Sequence, residues 1–160
     1  MSLIRVIGGS VLAVSACGMI YAQPEAAATL ACDVQGRGGN EASCEIREFA
    51  LPADERIAVQ TDNGRIIVRG ADIDEIRVRA EIVAWARTEE AAQEAVEATR
   101  IRTDGVVRAG KPDRVRSWVV SYEVSVPRTI ELQATTTNGG ISISDIDGDV
   151  DVRTTNGRVQ

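Results

Sequence analysis

Four aspartates at alternating positions are the residues of this sequence whose types and spacing come nearest to a chemical site. Asp145, Asp147, Asp149 and Asp151 lie in the segment Asp-Ile-Asp-Gly-Asp-Val-Asp. Alternate side chains of an extended strand point to the same face, so these carboxylates could present their oxygens together. Carboxylate oxygens bind Ca²⁺, and two carboxylates about 5–9 Å apart are what glycoside hydrolysis requires.

The spacing of these aspartates matches no established site. It fits neither the EF-hand loop nor the Gly-Gly-x-Gly-x-Asp nonapeptide of calcium-binding repeats. No aromatic residue that could stack on a sugar ring lies near them in the sequence. We therefore interpret the segment as an Asp-Gly turn with solvated, outward carboxylates. Calcium binding at 145–151 and a carbohydrate-active role for Asp147, Asp149 and Asp151 remain the alternatives.

Residues for other common catalytic chemistries are scarce. The 160-residue chain contains no histidine, which removes the commonest general base, the commonest zinc ligand and the usual hydrolase triads. The serines therefore have no histidine partner, and Lys111, the only lysine, lies beside a proline in a polar segment. Neither pattern is typical of a nucleophile. We predict no catalytic residue, no cofactor and no enzyme activity.

The composition is that of one globular domain with an acidic surface. The net charge is −6, from 24 acidic and 18 basic residues, and the sequence contains no basic stripe of the kind that binds nucleic acid. Hydrophobic residues make up 44% of the chain but aromatic residues only 3%. The core must therefore consist of Val, Ile, Leu and Ala, which favours stacked strands over a helical bundle.

The amino terminus has the pattern of a secretory signal peptide. Met1–Arg5 carries one positive charge, and residues 6–21 are uncharged and mostly apolar. Glycines and serines dilute this run, which is shorter than the roughly 20 residues of a membrane span. We predict a signal peptide over residues 1–22, cleaved after Ala22, and export to the periplasm, the outer envelope or the cell surface.

Lipidation at Cys17 is the alternative way to process this terminus. The segment Val14-Ser15-Ala16-Cys17 resembles a bacterial lipobox, in which the cysteine is lipidated and becomes the first residue. Against this, residues 18–22 stay apolar where lipoproteins usually turn polar. A lipid on Cys17 would be the protein's one attachment to a membrane.

Two further cysteines predict a disulfide in the exported chain. Cys32 and Cys44 bracket a polar, glycine-rich loop, and a cysteine pair in an oxidising compartment is typically bonded. In the chain-entropy model, closing such a loop contributes about 2–3 kcal/mol. We predict that residues 23–48 form a flexible leader containing this loop, and that residues 49–160 form a β domain.

Alternating apolar residues predict most of that domain as strands. The clearest runs are 56–61, 65–70, 75–86, 117–126 and 129–135. Residues 89–99 change to a helical period after Thr88, a potential N-cap, with Ala92, Ala95 and Val96 on a thin apolar face. Trp85 and Trp118 are interpreted as packing residues, and the far end of strand 75–86 as covered on both sides.

A four-residue sequence motif, which we call a word, recurs along the predicted strands. Thr-Thr-Asn-Gly occurs at Thr136–Gly139 and Thr154–Gly157, and Thr-Asp-Asn-Gly at Thr61–Gly64. Recurrence can reflect stacked units, in which Asn138 and Asn156 would form an amide ladder beside a row of threonines, or a meander of similar hairpins. Because both residues of Asn-Gly tolerate positive φ, the words predict tight turns. The turn residues are Asn63, Gly64, Asn138, Gly139, Asn156 and Gly157.

The words and their order resemble a known family. Thr-Asp-Asn-Gly-Arg-Ile-Ile-Val-Arg-Gly at 61–70, Tyr-Glu-Val-Ser-Val-Pro at 122–127 and the two late words, over residues 49–160, are similar to the bacterial putative-adhesin family of unknown function, the DUF4097 type. The resemblance implies an exported, mainly β protein. Its expected fold is a right-handed β-solenoid, or β-helix-like stack of short strands, with one inserted helix. An antiparallel β-sandwich or meander is the alternative.

The resemblance brings no binding residues with it. Members of the family usually continue through more repeats than this chain contains, so we expect the last strand edge to be capped by missing carboxy-terminal repeats or by another chain. We expect a non-enzymatic cell-envelope protein that acts as a structural or adhesion module. Its partner would be an unidentified envelope or surface component, and not nucleic acid.

Overall fold

A computed structural model of the chain describes residues 30–113, 115 and 117–160. The predicted signal peptide and Cys17 lie outside these residues. The described part is mainly β, with one short helix, as predicted. In chain order the elements are β1 Glu41–Pro52, β2 Arg56–Asn63, β3 Ile66–Ala71, β4 Glu75–Ala86, α1 Glu89–Ala98, β5 Arg100–Arg102, β6 Val107–Gly110, β7 Ser117–Pro127, β8 Glu131–Asn138, β9 Ile141–Ser144 and β10 Val150–Asn156.

The strands form two five-stranded mixed sheets. The first sheet has the order β1-β4-β7-β3-β9 and the second β10-β8-β2-β6-β5. Strands β1, β4 and β7 pair antiparallel, and so do β5 and β6. The strands that carry the repeated words pair in parallel, β2 with β8 and β8 with β10, and β3 likewise pairs in parallel with β7 and β9. A purely antiparallel meander would not produce this parallel pairing of the repeats. Two sheets around one core are compatible with the alternative of a β-sandwich, although the sheets are mixed and not antiparallel throughout.

The inward faces of both sheets share one core. Alternate residues of β4 and β7 are buried as the sequence predicts, and they join Ile66 and Val68 of β3 and Leu132 of β8 in a single cluster. The core consists almost entirely of Val, Ile, Leu and Ala, and Tyr122 is its largest fully buried side chain. Each fully buried Val, Leu or Ile contributes about 1.5–3 kcal/mol relative to exposure.

The predicted helix is confirmed and closes one end of this core. Thr88 caps α1, with its hydroxyl oxygen accepting from the amide of Ala91 at 3.3 Å. The predicted face of Ala92, Ala95 and Val96 is buried. The helix ends at Thr99, whose hydroxyl accepts from the indole nitrogen of Trp118 at 3.0 Å. Trp118 is thus a packing residue, as expected.

A β1 side chain completes the carboxyl end of this helix. The guanidinium of Arg47 donates to the carbonyl oxygens of Val96, at 2.9 Å, and Thr99, at 2.6 Å. Glu45 accepts two hydrogen bonds from the same guanidinium, at 2.7 and 2.9 Å. A cation at this position satisfies orphan carbonyls and opposes the negative end of the helix dipole.

The predicted boundary between leader and β domain falls inside a strand. β1 begins at Glu41, and all twelve of its residues pair with β4. The loop between the cysteines is correspondingly short, with only Asp33–Asn40 lying before the strand. Alternation did not indicate residues 41–48 because two inward positions hold Glu45 and Arg47. Arg47 binds the carbonyl end of α1 and Glu45 binds Arg47, so neither side chain belongs to the apolar core.

The only described helix has ten residues. Among the described segments, none is a helix long and apolar enough to cross a membrane.

Candidate interaction surface

The repeated words form a ladder across three strands of the second sheet. Asn63, Asn138 and Asn156 occupy the same register position on β2, β8 and β10. The side-chain amide nitrogen of Asn138 donates to Oδ1 of Asn63, and that of Asn156 donates to Oδ1 of Asn138, each at 2.9 Å. The ladder expected between Asn138 and Asn156 is therefore present, and it extends to Asn63, which lies 75 residues from Asn138 in the chain.

The threonines of the words form a second row of contacts. Thr61, Thr136 and Thr154 are also in register. The hydroxyl of Thr136 donates to the carbonyl oxygen of Gly64 at 3.2 Å, and that of Thr154 to the carbonyl oxygen of Gly139 at 3.0 Å. Thr136 and Thr154 therefore each tie their own strand to the backbone of the neighbouring word, whereas the hydroxyl of Thr61 donates to the carbonyl oxygen of Val120 at 2.7 Å.

The glycines of the words are required by close approach between strands. A Cβ on Gly139 would lie 1.8 Å from the carbonyl oxygen of Gly64, and one on Gly157 would lie 1.8 Å from that of Gly139. These distances exclude any side chain. Identical words can therefore stack because each glycine leaves room for the carbonyl of the word beside it.

The residues predicted as turns do not connect paired strands of one sheet as hairpin turns would. The strands before and after each word belong to different sheets, as β2 and β3 do, so the word is a bend at which the chain changes sheet. Gly64 has φ of 141°, but among the described non-glycine residues only Asp145 has positive φ. Asn-Gly is needed here for its amide ladder and for its missing Cβ.

The four aspartates lie on the exposed connection from β9 to β10 and on β10 itself. Asp145 has φ of 59°, and one carboxylate oxygen lies 3.7 Å from Nη1 of Arg128. Asp149 and Asp151 lie on the rim of a groove of about 380 Å³ together with Glu131. Within residues 30–113, 115 and 117–160, no three acidic, cysteine or histidine side chains converge as a metal site would require.

The Asp-Gly of this segment is a close-packed bend. The amides of Asp147 and Gly148 both donate to the carbonyl oxygen of Arg128, at 2.7 and 3.2 Å. A Cβ on Gly148 would lie 2.1 Å from the carbonyl oxygen of Ile130. The glycine is thus required by the backbone of β8, and the aspartates around it point into solvent.

The predicted disulfide between Cys32 and Cys44 is present and fastens a cover over one end of the first sheet. The cover, residues 30–40, lies over Trp85 of β4: the indole nitrogen donates to the carbonyl oxygen of Gln35 at 3.3 Å, and the guanidinium of Arg37 stacks 4.1 Å from the ring centre. The far end of β4 is therefore covered on both sides, as Val83 and Trp85 had indicated.

The remaining outer face of the first sheet, turned away from the core, is polar and exposed. Arg79 pairs with Glu48 at 3.1 Å, Arg77 pairs with Glu75 at 2.7 Å, and Arg69 pairs with Glu123. A groove of about 470 Å³ crosses this face, and its lining includes five of these six side chains, namely Glu48, Glu75, Arg77, Arg79 and Glu123. Positive and negative groups alternate here, so this part of the face has no strong preference for either charge.

A second groove on the same outer face has a different character. It encloses about 390 Å³ over β3 and β9, and its lining includes Arg65, Arg69 and Arg158 but no acidic side chain. Sequence reasoning missed this groove because its arginines are far apart in the chain. One feature of the sequence could have indicated the groove. Arg65, Gly140 and Arg158 each directly follow the Asn-Gly of a repeated word, so stacking of the words places them side by side.

The pKa values of Tyr122 and Glu45 are shifted from their ordinary values. Burial raises the pKa of Tyr122, whose hydroxyl lies near the backbone of Ala109 without a hydrogen bond of good geometry. The hydrogen bond from Arg47 lowers the pKa of Glu45 from its ordinary 4.5. Both groups are structural, and neither lies in a groove.

Comparison with solved structures found only distant similarity. A putative cell adhesion protein from Clostridium sporogenes is matched over 73% of this chain and 59% of its own, with 10% identity and a TM-score of 0.41. A putative lipid binding protein from Parabacteroides distasonis is matched over 79% and 64%, with 8% identity and a TM-score of 0.34. A putative adhesin from Bacteroides fragilis is matched over 74% and 56%, with 12% identity and a TM-score of 0.33.

The chain thus spans less than two thirds of each of these proteins. At these identities and TM-scores, the matches establish neither a family nor a function. No protein-family model matches the chain, and the search of curated proteins returned no match.

Proposed function

We propose that this chain is an exported, non-enzymatic protein of the cell envelope that acts as a structural or adhesion module through its strand faces. The observation that carries the proposal is the in-register Asn ladder, because it builds a rigid, regularly spaced surface from amide and backbone hydrogen bonds. The Cys32–Cys44 disulfide supports export, since such bonds persist in oxidising compartments.

The proposal includes a right-handed β-solenoid for the repeated part of the chain. Its support is the parallel pairing of β2, β8 and β10 and of β3 and β9. Further support comes from residues 158–160, which extend this pattern. The amides of Ile141 and Ile143 donate to the carbonyl oxygens of Arg158 and Gln160 at 2.9 and 3.0 Å.

Export is tested by expressing the full chain with its own amino terminus in a bacterial host, followed by fractionation and intact mass measurement. We expect envelope or periplasmic protein with a mass that begins at Gln23. A C17S variant is the control, because it abolishes lipidation but leaves cleavage after Ala22 intact. A full-length mass confined to the cytosol would contradict the proposal.

Adhesion is tested with the same purified protein. We expect the labelled, disulfide-bonded chain to bind isolated cell envelopes saturably, and a chain unfolded by reduction and denaturant not to bind. Equal binding of the folded and unfolded chains would contradict a role for the strand faces.

A carbohydrate-active or calcium-stabilised protein is the second candidate. The observation that favours it is the groove in which Asp149 and Asp151 meet Glu131. Arg56 lies 2.9 Å from Glu131, and Arg153 lies 3.5 Å from Asp151, so two of the three carboxylates already have cationic partners. Melting curves in CaCl₂ and in EDTA decide the calcium version. A rise in Tm with calcium that a D149N/D151N variant abolishes would support it.

A further inference from the structure

We propose that the groove over β3 and β9 is a binding site for a phosphate or sulfate group, held between the guanidinium groups of Arg65 and Arg158 above Gly140. We name this site the arginine groove. The proposal goes beyond a structural or adhesion role, and it does not depend on export, because it concerns what the purified protein binds.

Backbone hydrogen bonds place the three residues in one row. The amide of Ile66 donates to the carbonyl oxygen of Gly140 at 3.0 Å, and the amide of Ile141 donates to that of Arg158 at 2.9 Å. Arg65, Gly140 and Arg158 therefore lie side by side on neighbouring strands. Since neighbouring strands are about 4.8 Å apart, the two arginine Cα atoms are about 10 Å apart. This separation leaves room for one tetrahedral anion between the guanidinium groups.

Gly140 forms the floor of the site, and the backbone does not require it to be glycine. A Cβ built on Gly140 would have its closest contact at 3.4 Å, to the carbonyl oxygen of Arg158, and the residue does not have positive φ. Its neighbour Gly139 has a contact of 1.8 Å and cannot be replaced. The glycine at position 140 thus keeps open a space that a side chain would otherwise fill.

The charges of the arginine groove are unbalanced. Arg65 and Arg158 form no ion pair with any residue of the described chain, whereas most of the other arginines of the sheets are paired. Arg69 at the far end of the groove is paired with Glu123. Two neighbouring cations without a paired carboxylate make the local potential positive although the net charge of the protein is −6, and a positive potential attracts an anionic ligand.

The polar groups of the groove fit an oxyanion better than other ligands. Guanidinium groups bind phosphate and sulfate oxygens through paired N–H donors, and the hydroxyls of Ser142 and Ser144 line the same groove. No aromatic side chain lines it, so it offers no platform for a nucleobase or a sugar ring. Recognition would therefore be of the anionic group itself, free or carried on a saccharide.

The test is isothermal titration of the full, disulfide-bonded chain at low salt with three probes: inorganic phosphate, inorganic sulfate and heparin, a sulfated polysaccharide. We expect an R65Q/R158Q variant to weaken binding about tenfold or more, because it removes both charged partners. R56Q/R153Q is the matched control. It removes the same charge from the second sheet and should change affinity less than about twofold.

A G140V variant tests the site without changing the charge. It should fold, as Tm and circular dichroism will show, and should weaken binding about fivefold or more by filling the floor of the groove. Binding of heparin without binding of the inorganic anions would support a saccharide-borne group, and competition by the inorganic anions would support recognition of the free group. Equal losses in R65Q/R158Q and R56Q/R153Q, or no binding of any probe, would overturn the proposal.

Discussion

Two neighbouring glycines, Gly139 and Gly140, have opposite structural roles. Gly139 packs against the carbonyl oxygen of Gly64, where a Cβ would lie at 1.8 Å, whereas a Cβ on Gly140 would make only an ordinary contact, at 3.4 Å from the carbonyl oxygen of Arg158. We expect G139A to lower the free energy of unfolding by at least about 2 kcal/mol, because the stacked words must separate. G140A should change it by less than about 1 kcal/mol. Urea denaturation of both variants provides the measurement, and equal effects would contradict the close approach.

The hydroxyl of Tyr122 is buried in the core without a hydrogen-bond partner among the described residues. An unsatisfied buried hydroxyl is destabilising, so we expect Y122F to raise the free energy of unfolding by about 1 kcal/mol. Thermal melting of Y122F against the native chain measures this. A destabilised Y122F would show that the hydroxyl is hydrogen-bonded, with the backbone of Ala109 as its nearest partner.

The residue scale also shows where sequence reasoning stops. Asn138 and Asn156 carry the same word at an 18-residue spacing, and this recurrence indicated their ladder as one of two possibilities, beside a meander of similar hairpins. The reason for each glycine could not be predicted, because Gly139 contacts Gly64, which lies far away in the chain. Short motifs identify which residues recur. Only tertiary structure identifies the backbone that they approach.

At the scale of elements, the end of α1 depends on an ion pair from β1. Arg47 donates to the carbonyls of Val96 and Thr99 and to the carboxylate of Glu45. We expect R47M to cost about 1–2 kcal/mol, since hydrogen bonds from a half-buried cation are lost. The urea midpoint of R47M should fall. An unchanged midpoint would mean that water replaces the guanidinium at no cost.

The same pair makes stability depend on acid pH. The hydrogen bond from Arg47 lowers the pKa of Glu45, so the folded state favours the ionised carboxylate. The resulting stabilisation is full above the ordinary pKa of 4.5 and is lost as the pH falls through the lower folded pKa. An E45Q variant should therefore be less stable than the native chain at pH 7, with the gap closing in acid. Glu41, which has no ion pair in the described chain, provides the control variant E41Q.

The disulfide of Cys32 with Cys44 fastens the cover to β1. We expect C32S/C44S to lose about 2–3 kcal/mol by the chain-entropy estimate. Because Trp85 contacts this cover, its fluorescence should report loosening at lower urea in the variant than in the native protein. The same shift on reducing the native chain would be the internal control. Unchanged unfolding after reduction would contradict the prediction.

The positions of the strands and of the helix were easier to predict from the sequence than the pairing of the strands into sheets. Alternation predicted β4 and β7, and a change of period predicted α1 with its buried Ala92, Ala95 and Val96. Sheet membership could not be predicted, because β2 and β3 are adjacent in the chain yet belong to different sheets. The arginine groove was missed for the same reason, since it exists only where β3 and β9 lie together.

At the scale of the whole molecule, both sheets contribute to one buried cluster. If one sheet unfolded, the apolar inward face of the other sheet would become exposed to water. We therefore expect the two sheets to unfold together in a single transition. Far-ultraviolet circular dichroism, which reports on all strands, and tryptophan fluorescence, which reports on Trp85 and Trp118, should give coincident urea curves. Separate midpoints would show that the sheets unfold independently.

The Asn ladder has a consequence for how such a chain can change in length. The side-chain amide of Asn138 accepts a hydrogen bond from the next word and donates one to the preceding word. The chain needs 18 residues to pass from Asn138 to Asn156, which has the same position on the neighbouring strand. A tandem duplication of such an 18-residue segment would therefore preserve every contact that existed before it. Gene copying in units of this size could extend the fold without redesigning its core, whereas an insertion of 17 or 19 residues would misalign all later strands.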